Sequence, residues 1–210
     1  MNNPDFYVKY TNKGSLNPEL TEKYKSIIEK HISLEGKNVI DIGCGDGRLA
    51  MYLSEFVSNW NGIDISPDAI KVARENIKSL NLEDKVAFEI GSFLDIPFDK
   101  KFDIIISSNS LHFEDDKSGA FENINRFLND EGYVIFFEPT PSAKGWRSNK
   151  LNEDSEEFDK NTFRRKVERL NKSYNSIKSQ DLFELVDEYM PSSISNNEGR
   201  QYFAILRKVK

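Results

Sequence analysis

The stretch VIDIGCGDGRLA, residues 39–50, restricts the possible folds of this chain more than any other. A short apolar strand runs into Gly43, Gly45 and Gly47, and a helical pattern opens at Arg48. Glycine loses more conformational freedom on folding than any other residue. Three at alternate positions therefore mark a backbone that bends sharply or that something approaches closely. A buried strand, a glycine loop and a helix in that order form the start of a strand–helix–strand unit, which calls for a parallel sheet.

The same rhythm continues downstream. Trp60–Ile65 reads as a second strand, followed by Ser66 as helix N-cap and Pro67 at the first helical position. That helix runs to about Leu80 with Ile70, Ala73 and Ile77 facing inward. Val86–Ile90 and Phe102–Ser107 are the third and fourth strands, the latter apolar enough for burial on both faces. A helix from about Lys117 to Leu128, a turn at Asn129–Gly132 and a fifth strand at Tyr133–Phe137 follow. Upstream, Leu20, Tyr24, Ile27 and Ile28 give a helix that starts at Glu19 and ends near Gly36. After the glycines, a helix covers Arg48 to Val57. Gln180–Tyr189 fits a further helix, and Gln201–Leu206 closes the chain as a strand at or next to a sheet edge. Regular alternation with short connections predicts an α/β, doubly wound sheet with helices on both faces.

Ligands of such sheets bind at the carboxyl ends of the strands, where the strand order reverses. The glycine loop lies at such an end. Asp64 ends the next strand about twenty residues on, where a carboxylate accepts hydrogen bonds from ribose hydroxyls. These features point to a cofactor bearing a nucleoside. The spacing G-x-G-x-G differs from the G-x-G-x-x-G of dinucleotide sites, and Asp41 and Asp46 bracket the loop. Two carboxylates repel a pyrophosphate and welcome a cation. S-adenosylmethionine, with an ammonium, a sulfonium and no phosphate, suits both the spacing and the charge.

The blocks DIGCGDGRLA, GIDIS, IGSFLDIPF, FDIIISSNSLHF and LNDEGYVIFFEP, in that order over about residues 36–140, resemble the class I S-adenosylmethionine-dependent methyltransferases of small molecules. The resemblance implies a Rossmann-like, mostly parallel seven-stranded sheet whose last strand is antiparallel. It further implies that Asp41 and the Gly43–Cys44–Gly45–Gly47 backbone hold the methionine end and Asp64 the ribose. Ile65 then packs on adenine, Ser92 and Phe93 flank the adenine edge, and Ser108 and Asn109 line the methionine side. Members of the family often carry an aspartate where Ser92 stands, and a serine is the weaker acceptor there. Cys44 reads as a small residue against the cofactor rather than a nucleophile, Asp103 as an orienter of the fourth strand, and no metal site is expected.

Methyl transfer from a sulfonium needs alignment and desolvation, plus deprotonation of a poorly nucleophilic acceptor. His112, just past the fourth strand, is placed either as that base or as a packed, capping residue. Glu138, ending the fifth strand, is placed to bind an amine or act as base. Tyr7 and Tyr10 belong either to an N-terminal lid, residues 1–35, or to a mobile tail. Residues 142–178 hold ten Lys/Arg against six Asp/Glu and carry Phe163, Val167 and Leu170 at helical spacing. This helical insertion covers a substrate site, and its basic excess marks an anionic acceptor or a solvated face. Trp146 and Arg147 could stack on a planar substrate.

With 210 residues and 38% hydrophobic content the chain is expected to form one domain, residues 1–210. A net charge of −6 makes nucleic acid a poor partner. One cysteine, no secretory signal and no membrane-length apolar run suggest a soluble, cytoplasmic protein. The expected activity is methyl transfer from S-adenosylmethionine to an oxygen or nitrogen of a small molecule. Competing readings are methylation of RNA or protein guided by the basic insertion, and a module that binds the cofactor without turnover.

Overall fold

A computed structural model of the chain describes residues 18–139, 160–189 and 201–209. Five helices and seven strands are described: α1 (Pro18–Glu29), β1 (Asn38–Ile42), α2 (Arg48–Leu53), β2 (Asn59–Asp64), α3 (Pro67–Ser79), β3 (Val86–Ile90), β4 (Phe102–Ser108), α4 (Lys117–Phe127), β5 (Leu128–Pro139), α5 (Lys160–Ser179), β6 (Phe183–Tyr189) and β7 (Gln201–Lys208). Single 3-10 turns lie at Ser54–Phe56 and Leu111–Phe113.

The strands form one sheet in the order β3-β2-β1-β4-β5-β7-β6. β1 to β5 pair in parallel, and β7 inserts antiparallel between β5 and β6. Strand order reverses between β1 and β4, which opens the crevice at their carboxyl ends. The period of two along β4 divides the core: Ile104 and Ile106 face one apolar layer and Ile105 the other. α1, α2 and α3 cover the first layer through Tyr24, Ile28, Leu49, Leu53, Ile70 and Ile77. α4 and α5 cover the second through Phe121, Ile124 and Ile177. Among the described residues, no helix is long and apolar enough to cross a membrane.

Local signals act as their chemistry requires. Ser66 Oγ accepts from Ala69 N at 3.2 Å and Pro67 opens α3. Asp103 accepts from Asn38 N at 2.8 Å and from Asn129 Nδ2 at 2.9 Å, tying the start of β4 to those of β1 and β5. Residues 129–132 loop out between the pairs Phe102–Leu128 and Ile104–Tyr133, with Glu131 at φ 61°. The expected turn therefore lies inside β5.

Three expectations need correction. Gly36, at φ 74°, belongs to the turn before β1; α1 ends earlier, at Glu29. The helix after the glycine loop stops at Leu53 and tightens into a 3-10 turn. Residues 183–189 form an edge strand, not a helix. Leu185 pairs with Leu206 and Asp187 with Ile205, so Val186 is an extra residue in the ladder, a bulge.

Candidate functional site

Gly43 N and Cys44 N both donate to Ile63 O, at 2.7 and 2.9 Å, which pins the glycine loop to the end of β2. Gly45 N donates to Asp64 Oδ2 at 3.0 Å, and Ser66 N donates to Asp64 Oδ1 at 2.9 Å. Asp64 thus fastens the loop and caps the turn into α3 together. Each of its oxygens keeps acceptor capacity for a further donor.

The glycines meet different needs. Gly43, Gly45 and Gly47 all have positive φ, at 79°, 55° and 77°. A Cβ on Gly43 would lie 2.0 Å from Ser110 Oγ and 2.4 Å from Ser110 Cβ, so this position admits the chain leaving β4. A Cβ on Gly47 would meet the Phe88 ring at 2.7 Å, which makes it a packing glycine between loop and core. A Cβ on Gly45 would meet nothing within 4 Å. The close approach of an outside group expected for the whole loop is open at Gly45 alone of the three.

Asp41 is 1% exposed and its Oδ1 has no hydrogen-bond partner. Burial first, then the charges of Asp64 and Asp46, push its carboxyl up to about 8. A cation delivered to the mouth of β1 would restore the ionised form and satisfy the orphaned oxygen. Asp46 behaves differently from expectation. Arg48 Nε and Nη2 grip its two oxygens, each at 3.0 Å, so its charge is compensated within the chain. Asp64 takes its place beside Asp41 as the second carboxylate at the mouth. Burial raises the Cys44 thiol well above its ordinary value, and Asp41 adds to the effect, so it is an inert packed residue. Among the described residues, no group of three His, Cys, Asp or Glu is arranged to hold a metal ion.

Farther along the strand ends, Ile65 and Leu94 are about half exposed. Ser92 Oγ accepts from Leu94 N at 3.2 Å and from Asp95 N at 3.1 Å, closing a turn. The Phe93 side chain is buried with Ile63 and Ile96, and its carbonyl accepts from Asn123 Nδ2 at 2.8 Å. Phe93 therefore has no ring to offer a ligand. Leu94, which the sequence reading passed over, is the exposed apolar residue there.

Across the crevice, Asn109 sits at φ 56°, donates N–H to Phe137 O at 2.7 Å and reaches Ser108 Oγ with Nδ2 at 3.3 Å. Ser110 then passes Gly43, and the 3-10 turn Leu111–Phe113 follows. Glu138 Oε1 accepts from Ser110 N and Leu111 N at 3.1 and 2.9 Å, while Oε2 lies 2.6 Å from His112 Nδ1. Both side chains are buried. This pairing unites two residues that the sequence reading kept separate. Tyr24 of α1 stacks on Phe137 with ring centroids 3.8 Å apart, so α1 closes one flank at the end of β5. Sequence reasoning missed Tyr24 in this role, along with Arg48 and Lys117. Arg48, two residues after Asp46, could have been found from spacing; nothing local marks the other two. Tyr7, Tyr10, Trp146 and Arg147 lie outside the described residues.

A doubly wound sheet with a glycine loop, an uncompensated buried carboxylate and a second one at the next strand end defines a nucleoside-binding α/β protein. The methyltransferase domain family matches residues 33–197, and the chain belongs to it, among the class I S-adenosylmethionine-dependent methyltransferases. The chain is similar to release factor glutamine methyltransferase of Clostridium acetobutylicum, 36% identical over 129 residues, 59% of this chain and 44% of that protein. It is also similar to ajmaline N-methyltransferase of Rauvolfia serpentina, 34% identical over 101 residues, 47% of this chain and 35% of that protein. It thus spans less than half the length of these relatives. Among solved structures, a S-adenosylmethionine-dependent methyltransferase from Clostridium acetobutylicum matches with TM-score 0.65 at 12% identity, covering 98% of this chain and 97% of that one. The N-methyltransferase NodS of Bradyrhizobium japonicum in complex with S-adenosyl-L-homocysteine matches with TM-score 0.61 at 18% identity, covering 92% and 89%. At such identities the likeness establishes the fold.

Proposed function

We propose that this chain transfers a methyl group from S-adenosylmethionine to an oxygen or nitrogen of a small molecule, with His112 as general base. The observation that carries the cofactor assignment is the unpartnered Asp41 Oδ1, buried near the carboxyl end of β1, just before the loop in which a Cβ on Gly45 would meet nothing. Asp41 would hold the cationic methionine end beside the Gly43–Gly47 backbone. The spare acceptor capacity of Asp64 would take the ribose hydroxyls, Ile65 and Leu94 would flank the base, and Ser108 and Asn109 would border the methionine side. The cofactor, when bound, supplies a methyl on a sulfonium whose leaving group needs no proton.

Only the acceptor side then calls for proton transfer. Nδ1 of His112 is committed to Glu138, so a proton from the acceptor would go to Nε2, and the buried carboxylate would stabilise the imidazolium. α5 packs on the turn that carries His112. That contact supports α5 as part of a cover over the acceptor site.

A small acceptor is favoured by how α5 uses its charge. Arg164 pairs with Glu168 at 2.9 Å, Lys178 with Glu188 at 2.6 Å, and Lys172 donates to Asp115 O at 3.3 Å. These three cations are engaged within the chain, which leaves less of the helix's positive charge for a polyanion. The relative that acts on ajmaline has a small acceptor; the release factor relative keeps a protein acceptor open. Calorimetry with S-adenosylhomocysteine and with NAD, followed by turnover across small amines, alcohols, acids and a glutamine peptide, tests the proposal. Micromolar binding of the first alone with turnover of a small acceptor is expected. NAD binding would end the cofactor assignment, and turnover of the peptide alone would end the small-molecule one. Binding without any turnover would leave a cofactor-binding module.

A further inference from the structure

The 3-10 turn Leu111–Phe113 is held at both ends by buried charges. At its start, Glu138 Oε1 accepts from the first two free N–H groups, those of Ser110 and Leu111. At its close, Lys117 Nζ donates to the carbonyl of Glu114, the residue that caps the turn. Glu138 is 2% exposed and Lys117 is 7% exposed. A carboxylate at the N–H end and an ammonium at the C=O end follow the direction of the peptide dipoles. His112 lies between them, with Nδ1 on the other oxygen of Glu138. Lys172 Nζ donates to Asp115 O, one residue beyond the cap, so α5 closes over the same corner.

We propose that Lys117 is a positioning residue for His112: its ammonium fixes the far end of the turn whose start Glu138 holds, and so keeps the ring seated with Nδ1–H donating to Glu138 and the Nε2 lone pair left for the acceptor's proton. The inference rests on the reading of His112 as base. The charged groups facing Lys117 are Glu114 and Asp115 beside the turn, Glu138 of β5 and Lys172 of α5. Burial lowers the Lys117 ammonium first, Lys172 lowers it further, and the three carboxylates oppose both. A buried ammonium is retained against that cost where it has a counter-charge to serve.

The chain has two histidines, His31 and His112, so imidazole 15N spectra of the protein and of an H31N variant assign His112 without ambiguity. The wild-type ring is expected as the Nδ1–H tautomer. Lys117→Gln removes the charge and shortens the side chain by one atom, which takes the donor away from the Glu114 carbonyl. It should displace the ring from Glu138, seen as changed His112 15N shifts, and turnover should fall about tenfold or more with the KM for cofactor nearly unchanged. Lys117→Arg should return the wild-type spectrum. An Nε2–H tautomer in the wild type overturns the proposal and needs no variant. So does a folded Lys117→Gln protein with unchanged His112 shifts. A shifted spectrum in Lys117→Gln, combined with full activity in His112→Ala, would keep the clamp and refute the base.

Discussion

The glycine loop after β1 and the turn after β4 face each other across one crevice and handle charge in opposite ways. In the turn, Glu138 collects two backbone N–H groups and His112, and Lys117 answers it from the other end. In the loop, Asp41 is buried with an oxygen that has no partner, and its neighbours Asp64 and Asp46 raise its carboxyl further. One side is partnered within the chain; the other keeps an acceptor without a partner, which on the proposed function an outside cation would meet. On the proposed function, that difference gives the loop the task of holding a ligand and the turn the task of holding its own geometry.

The largest expected effect tests whether the two sides are mechanically joined. Gly43→Ala would drive a Cβ to 2.0 Å from Ser110 Oγ at φ 79°, displacing loop and turn together. A loss of about 3 kcal/mol and of measurable cofactor binding is expected from melting and calorimetry. Gly45→Ala meets nothing within 4 Å and should cost about 1 kcal/mol of stability from backbone strain alone. Equal costs would remove the Ser110 contact as the reason for Gly43.

A double dissociation comes next. His112→Ala should lower kcat roughly a hundredfold or more and leave cofactor affinity within about twofold. Asp64→Ala should weaken cofactor binding about a hundredfold through lost hydrogen bonds to the ribose. It should also cost about 1–3 kcal/mol of stability, since Gly45 N and Ser66 N lose their acceptor. Normal binding by Asp64→Ala would break the ribose assignment, and unchanged turnover by His112→Ala would reduce that ring to packing.

Asp41 gives the contrast a pH dependence. Its carboxyl, at 3.8 when free and about 8 in the fold, takes up a proton on folding. This contribution is full below pH 4, falls as pH rises toward 8 and then levels off. Asp41→Asn should remove that decline, so the variant without cofactor melts higher than wild type at pH 8 and shows no such gain at pH 4. Cofactor binding runs the other way: S-adenosylhomocysteine should bind wild type more tightly from pH 6 to 8, as the carboxylate ionises, and bind Asp41→Asn weakly throughout. Matching stability profiles would mean that Asp41 is not the stored charge.

Legibility divides along the same line. The loop side is written in adjacent residues: Asp41, the three glycines, Asp64, Ser66 and Pro67 declare a strand end, a bend, an acceptor and a cap by type and spacing. What each glycine makes room for was hidden, because Ser110, just past β4, and Phe88 of β3 reach Gly43 and Gly47 from far along the chain. The turn side depends on Glu138 meeting His112 across 26 residues and on Lys117 in an ordinary polar helix start. β6 misled for a local reason. Its bulge at Val186 places apolar residues at 182, 183, 185, 186 and 189, a helical spacing, in a strand whose identity comes from pairing with β7.

The smallest effect sharpens the loop side at its adenine end. Ser92 Oγ holds a turn by accepting from Leu94 N and Asp95 N, a task that an aspartate carboxylate performs at least as well. An aspartate brings a second oxygen, free to accept from the adenine amino group beyond Ile65 and Leu94. Ser92→Asp should therefore tighten S-adenosylhomocysteine by about three- to tenfold, the value of one added hydrogen bond, with little change in melting temperature. Ser92→Ala should lose stability without a gain in affinity. If Ser92→Asp weakens binding instead, the added charge is repelled rather than used, and the base lies elsewhere than against this turn.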